Sequence, residues 1–148
     1  MNSKSDAARA EELSRKRARA LPVLGVLFIS QQLVFFSSPA RDRMVDHVHI
    51  GAWLILSVVM LLALTTGGGW IYPRSVRQLA NDEATRVHRD DAFRYGFLAA
   101  MVACIALYVV TLFEPFGERE AIHLILTVGI GMALLRFGLL ERRAMRDA

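Results

Sequence analysis

The sequence predicts an all-α integral membrane protein, a bundle of four transmembrane helices with both termini in the cytoplasm. Three observations lead there. First, 54% of the 148 residues are hydrophobic, and they are gathered into blocks at 21–38, 48–66, 95–113 and 121–140. Each block is about 18–20 residues long, and a bilayer core needs roughly 20 at the helical rise. Second, charge is kept out of these blocks: the only titratable side chains inside them are His49, His123, Arg136, Cys104 and the tyrosines. Third, Lys and Arg are unevenly divided between the flanks, which sets orientation. The N-terminal segment carries Lys4, Arg9, Arg15, Lys16, Arg17 and Arg19. The middle segment carries Arg74, Arg77, Arg86, Arg89 and Arg94, and the C-terminal end Arg136, Arg142, Arg143 and Arg146. Only Arg41, Arg43 and Arg119 lie on the opposite side. The chain therefore divides into a basic cytoplasmic segment, 1–20, and a membrane domain, 21–148, in the inner (cytoplasmic) membrane of the cell.

The elements follow in order. Residues 3–20 are rich in Ala, Glu and Arg, which favours a cytoplasmic helix or a frayed tail running into the first span. Pro22 falls near the start of that span, where a missing N–H costs little. A cleavable signal ending at SSPA is the rival reading of residues 1–40. A charged leader of about twenty residues is long for that role, so a retained helix is expected. The second span ends at GGGWIYP, where glycines break the helix, Trp70 and Tyr72 suit the headgroup boundary and Pro73 blocks continuation. Asn81 is a good N-cap, and Asp82 and Glu83 place negative charge in a first helical turn. Asp82 with Arg86, and Arg86 with Asp90, are i,i+4 pairs. One continuous third helix is expected from about 82 to 113, roughly 48 Å long, so that its first turns project into the cytoplasm. A short outer turn, EPFGERE, leads to the fourth helix. Gly96, Ala100 and Cys104, and Gly129 and Ala133, recur at intervals of four. Such small residues let backbones approach closely in lipid, between helices three and four or between subunits.

The candidate sites lie at the two ends. PARDRMVDH (39–47) and PFGEREAIH (115–123) share a proline, an acid, an arginine and a histidine at a fixed offset of 76 positions. A duplicated hairpin would bring His47 and His123 to the outer mouth of the bundle. Asp46 with His49, and Glu120 with His123, are three apart and share a helix face. Carboxylate and histidine on facing helices hold metal ions in some four-helix bundles, and histidine clusters also respond to pH. The alternative is a set of ordinary interfacial residues, and a haem held by His47 or His49 with His123 is a further one. Gln31 and Gln32 are amides within an apolar run, where an amide needs a partner, so at least one should face another helix or a second copy. Arg136 either snorkels to the interface or pairs with Glu141 or an acid of the middle segment. His88 is expected on a solvated face and Cys104 in packing.

No Gly-rich phosphate loop, nucleophile elbow, paired-cysteine site or zincin helix occurs, and no Asp or Glu lies mid-membrane. The net charge of +4 is a topology signal and an attraction to anionic headgroups, so no nucleic acid partner is expected. Residues 81–96, NDEATRVHRDDAFRYG, resemble the lead-in to the third span of small bacterial four-helix membrane proteins, some of which hold a cytoplasmic transcription regulator at the membrane. That resemblance implies docking surfaces at 82–94 and 141–147 and no activity. The expected function is non-enzymatic: a membrane-embedded sensor or accessory protein, with Asp46, His47, His49, Glu120 and His123 as its input side. Asp82, Glu83, Arg86, Arg89, Asp90, Arg142 and Arg143 would meet a protein partner. The alternatives are an oligomeric transporter or channel subunit with Gln31 and Gln32 along its path, and a metal- or haem-binding protein. No cofactor is expected under the leading reading.

Overall fold

The computed structural model describes residues 3–37, 43–67, 83–115 and 117–147. Among these residues the protein is all-helical, with α1 (Ser3–Ser37), α2 (Arg43–Thr66), α3 (Glu83–Thr111) and α4 (Glu118–Asp147). The basic leader and the first apolar block form one helix of 35 residues, about 52 Å long at 1.5 Å per residue. Its exposed face near the N-terminus carries i,i+4 ion pairs, Arg15 to Glu11 at 2.6 Å and Lys16 to Glu12 at 2.8 Å. The Lys16 ammonium, hydrogen-bonded to Glu12, holds that carboxyl below its ordinary pKa. The opposite face buries Ala10, Leu13, Arg17, Ala18 and Leu21, so the leader is a packed element and not a tail.

Two of the helices, Glu83–Thr111 and Glu118–Asp147, are long and apolar enough to cross a membrane, and 50–66 is a shorter apolar stretch. They are used differently. In its most apolar window α3 is only 6% buried, whereas α4 is 44% buried. Helix α4 is the axis of the bundle: α1 and α3 pack along it, and α2 meets it over a shorter stretch. The core follows from this, because α4 supplies Ile130, Ala133, Leu134 and Phe137 to a cluster completed by Leu21, Phe28, Met60, Leu64 and Ala92.

Small residues allow α4 to serve two neighbours. A Cβ on Gly96 would stand 2.7 Å from both the Ala133 Cβ and the Gly129 carbonyl oxygen. The spacing-of-four rows of helices three and four are therefore the seam between those two helices within one chain. On the other side a Cβ on Gly138 would overlap the Pro22 ring. Pro22 lies well inside α1 and not at its start, and the missing side chain of Gly138 accommodates it. Helix α2 ends at Gly67, whose φ of 63° is the left-handed cap that glycine adopts without penalty. Helix α3 ends in tight turns, with Phe113 N–H donating to the Val110 carbonyl at 3.0 Å.

The outer surface is apolar. Ile55, Phe97, Val102, Ile105, Tyr108 and Phe113 are each more than 60% exposed. Arg17, Ser57, Thr85, Thr127 and Glu141 are buried. The interior is mainly apolar as well, so large apolar side chains face both inward and outward, which water does not favour over so wide a surface.

Candidate functional site

The most highly organised polar site is a buried node at the end of the bundle where α1 enters and α4 leaves. The Arg17 side chain is 2% exposed and that of Glu141 6%. Arg17 donates from Nε and Nη2 to Glu141 Oε2 at 3.0 and 2.6 Å. Its Nη2 also reaches Thr85 Oγ1 at 3.0 Å, and its Nη1 the Gly67 carbonyl at 3.3 Å. The second carboxylate oxygen accepts from the Thr85 hydroxyl at 3.3 Å and lies 3.2 Å from His88 Nδ1. The Phe137 ring covers the guanidinium at 5.5 Å from its centroid. One arginine thus meets the C-terminal cap of α2, the first turns of α3 and the last turns of α4. A buried charge pair repays its desolvation only when its remaining donors and acceptors are satisfied, and here most of them are.

Two further contacts lie at the same end. Arg89 Nη1 donates to the Thr65 carbonyl at 2.9 Å, satisfying one of the orphan acceptors at the end of α2. Arg136 Nε donates to Asp91 Oδ2 at 2.7 Å and its guanidinium stands 5.5 Å from the Tyr95 ring centroid. Arg136 therefore pairs with an acid of the middle segment, one of the two partners its position suggested, and Glu141 belongs to Arg17 instead.

Several expectations change accordingly. The first turns of α3 do not project freely: Thr85 and Ala92 are buried and His88, Arg89 and Asp91 partly so. His88 is part-buried and faces Glu141. Arg89 caps α2 through one Nη while its side chain stays part-exposed, and Glu141 is internal to the bundle. Glu83, Arg86, Asp90, Arg142 and Arg143 are exposed, and Asp82 lies outside the described residues.

At the other end, Glu120 and His123 part company. Glu120 is exposed and its carboxylate accepts from the Gly117 N–H at 3.4 Å. His123 is buried and stacks on Trp53, ring centroids 3.9 Å apart, with Phe28 beyond at 6.5 Å from Trp53. Among the described residues the buried Trp53 Nε1 finds no hydrogen-bond partner. The side chains of Asp46, His47, His49 and Gln32 lie outside the described residues, and Gln31 is exposed on α1. Among the described residues no three His, Cys, Asp or Glu side chains gather as a metal site.

The node escaped sequence reasoning because Arg17 is one of six basic residues in the N-terminal segment, where each looks like a topology signal. One signal was available: Ala10, Leu13, Arg17 and Leu21 recur at three- and four-residue intervals and share a helix face, while Arg15, Lys16 and Arg19 fall elsewhere. The class these features define is a helical protein with two helices apolar enough to cross a membrane. Compared with protein families, with curated proteins and with solved structures, the chain matches none.

Proposed function

We propose that the chain is a four-span protein of the cell membrane, with both termini in the cytoplasm, that carries a protein partner on its charged cytoplasmic end and performs no catalysis. The observation that carries the membrane part is the apolar outer surface, which exposes large side chains such as Ile55, Val102, Ile105 and Phe113 while Arg17 and Glu141 are buried. Soluble monomers rarely expose contiguous apolar patches beyond a few hundred Å², whereas lipid solvates such a surface. The node supports four crossings, because Arg17, Gly67, Thr85 and Glu141 precede or follow the four apolar blocks in turn and meet at one level. That level carries most of the Lys and Arg, which favours the cytoplasmic side.

The partner surface is what the node leaves outside. Glu83, Arg86 and Asp90 on α3 and Arg142 and Arg143 on α4 are exposed at this end, and interleaved charge of this kind suits a protein surface. Gentle crosslinking of the tagged chain in its native membranes tests it. The expected result is a defined crosslinked protein whose yield falls severalfold in an Arg142→Glu, Arg143→Glu variant. No specific crosslink, or one indifferent to charge reversal, would remove the docking function.

A further inference from the structure

We infer that the outer groove between α3 and α4 binds one anionic glycerophospholipid, an acyl chain along the groove and the phosphate between Arg94 and Arg136. This rests on the membrane reading above. The groove has a volume of about 420 Å³ and is lined by Tyr95, Ala99, Ala103 and Ala106 of α3 and Val128 and Met132 of α4, among others. That volume lies within the range of small-ligand sites. From Tyr95 to Ala106 it follows α3 for about 16 Å, the reach of a lipid tail. Alanines at every turn of α3 create the recess, while Val128 and Met132, four apart, form the opposite wall.

One end of the groove is cationic. Arg94 precedes the groove residue Leu98 by four, and Arg136 follows Met132 by four, so one arginine continues each wall by a single turn. Arg94 is exposed, and the Arg136 side chain is 37% exposed. Among the described residues Asp91 bonds the Nε of Arg136, and the Nη edge presents donors in the fork that recognises a phosphate. Tyr95 lies beneath that guanidinium, in the position where an aromatic ring marks the headgroup boundary. An apolar groove that ends in two arginines at that depth is complementary to a single amphiphilic anion.

A second copy of the chain fits the same groove less well. A dimer axis along the membrane normal keeps equal depths opposed, so Arg94 and Arg136 would approach their own counterparts, and like charges so placed are disfavoured.

Native mass spectrometry of the full chain tests the assignment, with the protein exchanged into detergent holding equal phosphatidylglycerol and phosphatidylcholine. One phosphatidylglycerol per chain is expected to survive in preference to phosphatidylcholine. Both lipids carry a phosphate, so the preference rests on arginine charge that a choline would oppose, and Arg94→Gln with Arg136→Gln should reduce it by roughly tenfold. Ala106→Phe, at an exposed position, should lower retention of both lipids. Arg94→Gln alone removes no hydrogen bond or ion pair among the described residues and keeps the test valid should the double variant unfold. Equal retention of the two lipids, or unchanged preference in Arg94→Gln and the double variant, overturns the site. So does a dimer that Ala106→Phe dissociates and that carries no lipid. A carbonate wash separates the two levels: a chain that washes off the membrane ends the membrane reading, while one that stays embedded without lipid preference ends only the site.

Discussion

Arg17 and Glu141 are 124 positions apart, and the buried polar contacts at their end of the bundle converge on them. Removing one partner of a buried ion pair strands a charge, at a cost of about 3–5 kcal/mol. Glu141→Gln keeps the shape and loses the charge, so it should show that cost in a denaturant titration followed by helical circular dichroism. Arg17→Leu should do the same. The two leucines together should recover much of the loss, because no unpaired charge then remains, and the double-mutant cycle should show strong coupling. Single variants within about 0.5 kcal/mol of wild type, the usual range of surface substitutions, would mean that the node contributes nothing to stability. Residue by residue, the sequence was legible where local pattern decides. Glycine at 67 ends α2, whereas Arg136, expected first to snorkel, holds Asp91 of the middle segment. The pairing of Arg17 with Glu141 was not legible, since a charge in a basic run gives no sign of its partner at the far end of the chain.

At the scale of elements, α4 organises the molecule because it presents glycine or alanine to both neighbours. The seam with α3 is closest at Gly96 and Gly129. Gly96→Ala must displace either the Ala133 methyl or the backbone of α4, and overpacking of this kind costs about 1–3 kcal/mol. Gly51 of α2 is the control, since a Cβ there meets nothing within 4 Å. Gly51→Ala should stabilise by about 0.5–1 kcal/mol through helix propensity. Opposite shifts of the two midpoints in one thermal series would verify the seam, and a neutral Gly96→Ala would mean that the helices can part there without loss. The helices themselves could be read from apolar run lengths, and the seam from the spacing of small residues. The packing of the basic leader could not be read so directly. A run of Ala, Glu and Arg is helical in either environment, and only the positions of Leu13 and Leu21 mark its buried face.

For the whole molecule, the bundle's two ends are chemically distinct. One holds the ionic node and most of the arginines. The other holds the stack of Trp53 on His123, and the turn around Gly117. A four-span arrangement requires the start of α1, the start of α3 and the end of α4 to share one side of the membrane, with Gly117 on the other. Single cysteines introduced at Ala7, Ala84, Ala144 and Gly117, all exposed, test this in a Cys104→Ala background. A membrane-impermeant thiol reagent applied to intact cells should label Gly117→Cys alone, and the other three should label only after the membrane is opened. Labelling of Ala7→Cys from outside while Ala144→Cys stays protected would mean an odd number of crossings. The node could then not be assembled in the membrane, because Arg17 and Glu141 would lie on opposite faces of the bilayer. The same experiment on Arg17→Leu separates orientation from stability: flanking charge sets orientation, and five other basic residues remain in that segment. The labelling pattern should therefore hold even as the bundle loosens.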